Sequence, residues 1–179
     1  PTISLDGRHV AFTSFASNLV DDGDTNGTSD VFVRDLSAST TERVDLGSGN
    51  SEAAGGASFA VDMTPDARFV LLSSDATNLV ANDTNGEFDE FIRDRNSGIT
   101  ERVNVSPTAA QSDGYAGGGA ISDDGQFVTF LSAGSNLDAA EVNGVEDVFV
   151  RDRTADTTRL VSLSNSGSPA ESNSGGLVD

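Results

Sequence analysis

Three short acidic loops contain the side chains of this sequence that could bind a metal ion. In the first, oxygen-bearing side chains alternate along the chain, a glycine follows, and a further aspartate precedes an apolar strand. This spacing is the front half of a calcium loop, in which about six to eight oxygens surround the ion and carbonyls or water supplement the side chains. The candidate ligands of the first loop are Asp22, Asp24, Asn26, Thr28 (through its carbonyl) and Asp30.

The same loop recurs twice, each time directly before an apolar strand. The candidate ligands are Asp83, Asn85, Glu87 and Asp89 in the second loop, and Glu141, Asn143, Val145 and Asp147 in the third. Ala81 and Ala139 replace the first acidic residue, so the number of ligands falls from the first loop to the third. Asp and Asn also form Asx turns in glycine-rich loops without any metal. Clustered carboxylates without compensating charge repel one another, and this favours Ca²⁺ as the cofactor.

The loops belong to a longer repeat of about 60 residues, which predicts an all-β fold. Each repeat has an Asp-containing turn (Asp6, Asp66, Asp124) and then an alternating strand, predicted at 9–14, 69–74 and 127–132. After the acidic loop come a third strand (31–34, 90–93, 148–151) and a closing strand (41–46, 100–105, 158–163). Four short strands per repeat predict propeller blades. We divide the single domain, 1–179, into repeats of about 1–56, 57–117 and 118–179.

Other recurring residues have structural interpretations. The turn aspartates are expected to cap backbone amides. Arg34, Arg93 and Arg151 share a strand face with the last aspartate of each loop, which predicts an internal ion pair. Phenylalanines recur in the strands and are expected in the core between blades: Phe12, Phe32, Phe91, Phe130 and Phe149.

Three motifs of the first repeat together resemble a known family. S-x-D-G-R-x-V-A-F-x-S, S-N-L-V and D-T-N-G-x-x-D-V-F-V-R-D are similar to the TolB-type, WD-like propeller repeats of bacterial envelope and secreted proteins. The acidic loop also resembles the calcium loops of integrin-type propeller repeats. The resemblance implies a platform for protein contacts without shared catalytic residues, located in the periplasm, at the cell surface or outside the cell.

Composition excludes several function classes. The net charge of −19 opposes binding to nucleic acid or to anionic membranes, and no apolar run is long enough for membrane insertion. The absence of cysteine excludes disulfides, thiolate metal sites and cysteine nucleophiles. The single histidine, His9, is placed in a strand, so a Ser-His-Asp triad is not indicated. We therefore predict that the protein is not an enzyme.

The number of repeats raises the question of closure. Joining Asp179 to Pro1 continues the repeat, and three blades are fewer than the four or more of closed propellers. We expect half of a six-bladed ring, part of an open array, or a fragment of a longer protein.

The predicted function is a calcium-binding extracellular scaffold or protein-binding module that associates with itself, and possible further partners are other proteins. A structural subunit of a filament or surface assembly and an accessory domain of a secreted hydrolase are the alternatives.

Overall fold

Three four-stranded antiparallel sheets form the fold in a computed structural model that describes residues 1–21, 23–140 and 143–174. Blade 1 contains β1 (Thr2–Ile3), β2 (His9–Ser14), β3 (Asp30–Asp35) and β4 (Thr40–Arg43). Blade 2 contains β5 (Ser58–Met63), β6 (Phe69–Ser74), β7 (Asp89–Asp94) and β8 (Ile99–Arg102). Blade 3 contains β9 (Ala116–Ile121), β10 (Phe127–Ser132), β11 (Asp147–Asp152) and β12 (Thr157–Leu160).

Within each blade the strands lie side by side in chain order, as expected for a propeller blade. Helical structure in the described ranges is limited to a 3₁₀ turn at Ser48–Asn50. The same ranges contain no helix of the length and apolarity needed to span a membrane.

The predicted turns and second strands are confirmed. β2, β6 and β10 have the predicted bounds because an aspartate turn precedes each of them. Asp6 accepts hydrogen bonds from the Ser4 hydroxyl at 2.7 Å and from the Arg8 amide at 3.0 Å. Asp66 and Asp124 make the equivalent contacts. These carboxylates satisfy turn amides, as Asx turns do, and thereby start each strand.

The closing strands are shorter than predicted. β4 ends at Arg43, whereas the prediction continued to Leu46, and β8 and β12 end equally early. Leu46 instead forms an isolated bridge with Glu52, so the chain has already turned into the linker that leads to the next blade. In the sequence, the alternation of apolar residues extends past the end of β4, because Val44 still packs against blade 2.

Two apolar interfaces hold the blades together. Ala11, Val31 and Val33 of blade 1 pack against Val70, Leu72 and Phe91 of blade 2. The opposite face of blade 2 packs against blade 3 through Phe69, Leu71, Ile92, Val128, Phe130 and Phe149. Phe32, Phe91, Phe130 and Phe149 are fully buried, as predicted, and Phe12 is half-buried against Phe32, with 5.9 Å between the ring centroids.

Leucines at one repeat position show how burial depends on the preceding blade. Leu79 and Leu137 are 1% and 0% exposed, while Leu19, in blade 1, is only half-buried. Leu79→Ala should lower the free energy of unfolding by about 2–5 kcal/mol, because it leaves a cavity between blades. Leu19→Ala should cost less than half as much. Urea denaturation of dilute protein measures both, and equal losses would contradict this account.

Candidate functional site

Each acidic loop connects the second and third strands of its blade and ends at a buried aspartate. Asp30, Asp89 and Asp147 are fully buried and begin β3, β7 and β11. A buried carboxylate must be hydrogen-bonded or paired with a cation, since its desolvation is otherwise too costly. The partners of these three aspartates therefore define the chemistry of each loop.

An asparagine joins each loop to the linker that follows its blade. The Asn26 side-chain oxygen accepts the Thr28 amide at 2.9 Å, and its nitrogen donates to Asp30 at 2.9 Å and to the Ala53 carbonyl at 3.2 Å. Gly27 has φ +72°, which the tight turn requires. Asn85 repeats this arrangement, and Asn143 repeats its bonds to the turn amide and to the linker carbonyl, so Thr28, Glu87 and Val145 each contribute a turn amide. We call this contact the asparagine latch.

The first loop brings together four carboxylates and one guanidinium. Arg43 lies 2.5 Å from Glu52 and 3.8 Å from Asp30. Asp30 faces both Asp24 and Asp45, and these two acids interact with it electrostatically. Arg43 is thus the one cation placed among these four acidic side chains. Buried oxygens of Asp24 (Oδ1), Asp30 (Oδ2) and Asp45 (Oδ2) have no protein hydrogen-bond partner.

This crowding changes the protonation of the acids. Burial, and after it the Asp30 carboxylate, raises the pKa of Asp45 to about 8, and the same causes raise the pKa of Asp24. Burial works against ionisation of Glu52 as well, but hydrogen bonds from Thr25 and Arg43 lower its pKa to about 2. At neutral pH, Asp45 therefore retains a proton while Glu52 is ionised.

In the second loop, an arginine and two amide side chains lie beside the carboxylates. Arg102 lies 2.9 Å from Asp83 and 3.2 Å from Asp89. Gln111 donates to the same two carboxylates at 3.0 and 3.2 Å. Asn104 donates to Asp89, where blade 1 has Asp45. Burial raises the pKa of Asp89, and the contacts with Asn104 and Arg102 oppose that change.

In the third loop, serine hydroxyl groups donate hydrogen bonds to the buried aspartate. Ser162 and Ser174 donate to Asp147 at 2.6 and 3.2 Å. Leu160 occupies the position of Arg43 and Arg102, so no arginine faces this aspartate at that position. Asp22 of the first loop and Glu141 of the third lie outside the described residues.

The fit to calcium differs among the loops. In residues 1–21, 23–140 and 143–174, no three His, Cys, Asp or Glu side chains are arranged as a metal centre as they stand. The first loop nevertheless has uncompensated carboxylates with three buried, unpartnered oxygens, which match the oxygen ligands that Ca²⁺ prefers. The carboxylates of the second loop have Arg102, Gln111 and Asn104 as partners instead.

Sequence reasoning missed part of this site. Asp30 and Asp89 have their cations from Arg43 and Arg102 on the closing strand, so the predicted pairing with Arg34 and Arg93 is wrong. Arg34 and Arg93 instead donate to Thr41 and Thr100. The sequence did contain a signal for other neighbours of these aspartates. The residue 15 positions after each buried aspartate is polar: Asp45, Asn104 and Ser162.

Solved structures share the architecture. A TolB-type protein from Agrobacterium tumefaciens has a TM-score of 0.58 and 16% identity, covering 90% of this chain and 45% of that one. TolB from Acinetobacter baumannii has a TM-score of 0.54 and 18% identity, covering 89% and 31%. The chain has a TolB-like β-propeller fold. The propeller domain of the Trilobed protease from Pyrococcus furiosus also matches, with a TM-score of 0.51, 9% identity and coverage of 88% and 40%.

These matches cover only part of each neighbouring protein, and their sequence identities are low. This chain spans less than half the length of each of these three proteins. Identities of 18% and below establish the fold alone. No family model matches the sequence, and a search of curated proteins returned no significant match.

Asp45→Asn should reduce the pH dependence of stability. The folded pKa of Asp45, about 8, exceeds its ordinary value of 3.8. The associated stabilisation is therefore fully present below about pH 4 and is lost as the pH rises through about 8. The amide would donate to Asp30 at every pH, as Asn104 does to Asp89, so the variant should melt higher than wild type at pH 8–9.

The measurement is a series of thermal melts from pH 5 to 9 in a chelator. Asn104→Asp is the matched control, and it should introduce the same loss of stability at high pH in blade 2. Parallel pH profiles for wild type and Asp45→Asn would contradict the assignment.

Proposed function

We propose that this chain is a non-catalytic, protein-binding propeller module that works outside the cytoplasm, in the periplasm or at the cell surface. A patch of three aromatic residues at one end of the blades, two of them exposed and one half-buried, carries the proposal. Phe59 is 42% exposed and lies 5.9 Å from Phe88 between ring centroids. Tyr115, 38% exposed, immediately precedes Ala116, whose amide donates to the Phe88 carbonyl. We call these three residues the aromatic patch.

The backbone supports this patch. Phe59 lies at the start of β5, Phe88 precedes β7 and Tyr115 precedes β9, so strand ends of two blades place the rings at one end of the molecule. The Tyr115 hydroxyl lies over Gly117, where any side chain would meet it at 2.4 Å. Glycine at this position therefore leaves room for the tyrosine ring.

The charge around the patch indicates the chemistry of its partner. Burial, followed by the carboxylates of Glu146 and Glu90, raises the pKa of Tyr115, so the ring lies in a negative potential. The whole chain has a net charge of −19. Aromatic faces in such surroundings favour arginine or lysine side chains through cation–π contacts. The partner is expected to be a protein segment with basic and apolar residues.

A displayed library of random peptides provides the test. Selected peptides should be rich in Arg and aromatic residues, and their binding should weaken as salt increases. Phe59→Ser and Tyr115→Ser should each reduce binding about tenfold or more, as loss of an aromatic anchor does. Ile99→Ser is the matched control, because Ile99 is 62% exposed on the outer strand of blade 2. Selection of no peptides, or equal binding by all variants, would contradict the proposal.

We also propose that calcium binds the first loop and stabilises the module. The observation that favours it is the set of unpartnered oxygens on Asp24, Asp30 and Asp45. A divalent cation would balance their charge, and its binding energy would add to folding stability. Calcium outside cells, at roughly millimolar levels, is sufficient for sites of modest affinity.

Calcium at about 100 times its dissociation constant should raise the melting temperature by roughly 5–10 °C relative to a chelator. Asp24→Asn should remove most of this increase. Asp83→Asn, the equivalent change in the second loop, should retain it because Arg102 and Gln111 balance that loop. The same wild-type melting temperature in calcium and in chelator would refute the calcium proposal and leave peptide binding untouched.

Self-association completes the proposal. Apolar side chains are exposed on blades 1 and 3, which lie at the two ends of the array: Ile3, Leu5, Leu36, Phe127, Val161 and Leu163. Burial of such side chains against a second chain would supply the apolar contact that self-association needs. A filament or surface assembly would use the same contact repeatedly.

A second candidate is an accessory domain of a larger secreted hydrolase. The similarity to the propeller domain of the Trilobed protease favours it, since that domain is itself part of a protease. The length of the polypeptide that the native gene encodes distinguishes the two roles.

A further inference from the structure

Arg93 and Arg151 are repeat equivalents with different surroundings. Each guanidinium donates to the threonine seven residues further on, Arg93 to Thr100 at 3.1 Å and Arg151 to Thr158 at 3.3 Å. Both arginines are almost completely buried, with exposures of 6% and 7%. Burial of a guanidinium is costly unless acceptors and a negative charge compensate it. The two arginines therefore allow a direct comparison of how that charge is compensated.

In blade 3 the compensating group is a carboxylate. Asp156, in the turn between β11 and β12, pairs with the Nη2 atom of Arg151. The side chain of Asp156 is 69% exposed, so its carboxylate approaches the buried guanidinium from the solvent side. Its φ of +56° lies in the left-handed region, which aspartate tolerates better than most residues do. This turn position thus brings a carboxylate from the surface to a buried arginine.

In blade 2 the turn supplies no carboxylate at this position. Gly98, with φ +70°, follows the end of β7 at the same interval at which Asp156 follows the end of β11. A Cβ atom at Gly98 would lie 3.6 Å from the Arg93 Nη2 atom and 3.8 Å from the Asn50 side-chain oxygen. The glycine therefore omits the group that pairs with the arginine in blade 3, at a place where a side chain would touch Arg93.

Neutral groups are the hydrogen-bond partners of Arg93 instead. Its Nη2 atom donates to the Asn50 side-chain oxygen at 2.7 Å, and its Nη1 atom donates to the Leu46 carbonyl at 3.3 Å. These acceptors satisfy N–H groups but have no net charge. Burial lowers the pKa of Arg93, as it does for a cation without a counterion.

The carboxylates near Arg93 have other partners. Glu42 and Asp94 interact electrostatically with Arg93. Glu42, however, pairs with Arg95, and Asp94 pairs with Arg68 at 2.8 Å. Within the parts of the chain that the structure describes, no carboxylate forms an ion pair with Arg93 itself. Its positive charge is therefore available to an anion that approaches beside Gly98.

We propose that Arg93 and Asn50 bind the carboxylate group of a separate ligand at the position that the Asp156 carboxylate occupies in blade 3. One ligand oxygen would accept a hydrogen bond from the Arg93 Nη2 atom, and the other would accept one from the Asn50 amide nitrogen. Both residues line a cavity at the junction of blades 1 and 2, together with Gly98 and Arg95. A singly charged carboxylate fits better than a dianion such as phosphate, because the net charge of −19 opposes the approach of negative charge.

This carboxylate site is separate from the aromatic patch. Gly98 follows the end of β7, whereas Phe88 precedes the start of that strand, so the length of β7 lies between them. The two ligands also differ in charge, since the aromatic patch is expected to bind basic segments. The inference therefore goes beyond the proposed peptide binding, and either one can fail without the other.

Nuclear magnetic resonance of the arginine Nε–H groups during a titration with acetate tests the site. Acetate replaces chloride at constant ionic strength, so that general screening does not change. The Arg93 signal, assigned by its absence from the Arg93→Gln variant, should shift and reach half-saturation at roughly 10–100 mM acetate, as expected for a site with only two hydrogen bonds to the ligand. An Arg93 signal that does not move, or that moves without saturating, would overturn the proposal.

Two reciprocal substitutions make the test specific. Gly98→Asp places the carboxylate of blade 3 beside Arg93, so it should weaken acetate binding at least tenfold, and Asp156 shows that aspartate fits this turn. Asp156→Gly removes the partner of Arg151 and should give the Arg151 signal the saturable response to acetate that Arg93 shows in wild type. Equal acetate binding by wild type and by folded Gly98→Asp would mean that acetate binds elsewhere, contrary to the proposal.

Two capped tripeptides distinguish the possible sources of the carboxylate. One is acetyl-Gly-Asp-Gly-amide, and its matched control has Asn in place of Asp. Binding of the Asp peptide at least tenfold more tightly than acetate would identify an acidic side chain of a partner as the ligand, whereas similar affinities would identify a small free carboxylate. Equal binding of the Asn peptide at Arg93 would contradict recognition of a carboxylate.

Discussion

A four-stranded propeller blade has two apolar faces, and each must be covered by another blade. In blade 2 both faces are covered, and every residue of β6 from Phe69 to Ser74 is buried. In β10 of blade 3, buried and more exposed residues alternate because only one face has a neighbour. The hydrophobic effect between blades therefore holds the sheets together, whereas the order of strands within each blade follows from the short connections between consecutive strands.

The buried aspartate at the start of each third strand is the second constraint. This aspartate occupies the same position in every repeat, but the side chains that compensate its burial differ between repeats. Asp30 has Arg43 and a protonated Asp45 nearby, Asp89 has Arg102 and Asn104, and Asp147 has serine hydroxyls. A carboxylate that is buried needs donors or a cation, and several side-chain types satisfy that requirement. Repeats can therefore diverge at this point without loss of the fold.

Two separate surfaces follow from this arrangement. The aromatic patch lies where strands of blades 2 and 3 begin, and the acidic loop of blade 1 lies between its second and third strands. Since they share no residue, the proposed peptide binding and the proposed stabilisation by a cation are open to independent variation. This separation is typical of propellers as platforms, in which the stacked blades are constant and the edges vary.

The all-β fold, the four strands of each blade and the turn aspartates were determined by the sequence, because alternation and turn chemistry are local properties of the chain. The ends of the closing strands were not, since the bridge between Leu46 and Glu52 depends on the path of the linker. The tertiary structure alone showed that Arg43, rather than Arg34, faces Asp30, and that Asp45 lies beside it. It alone brought Phe59, Phe88 and Tyr115 together. These contacts join residues far apart in the chain, and a local pattern contains no information about which distant elements pack against it.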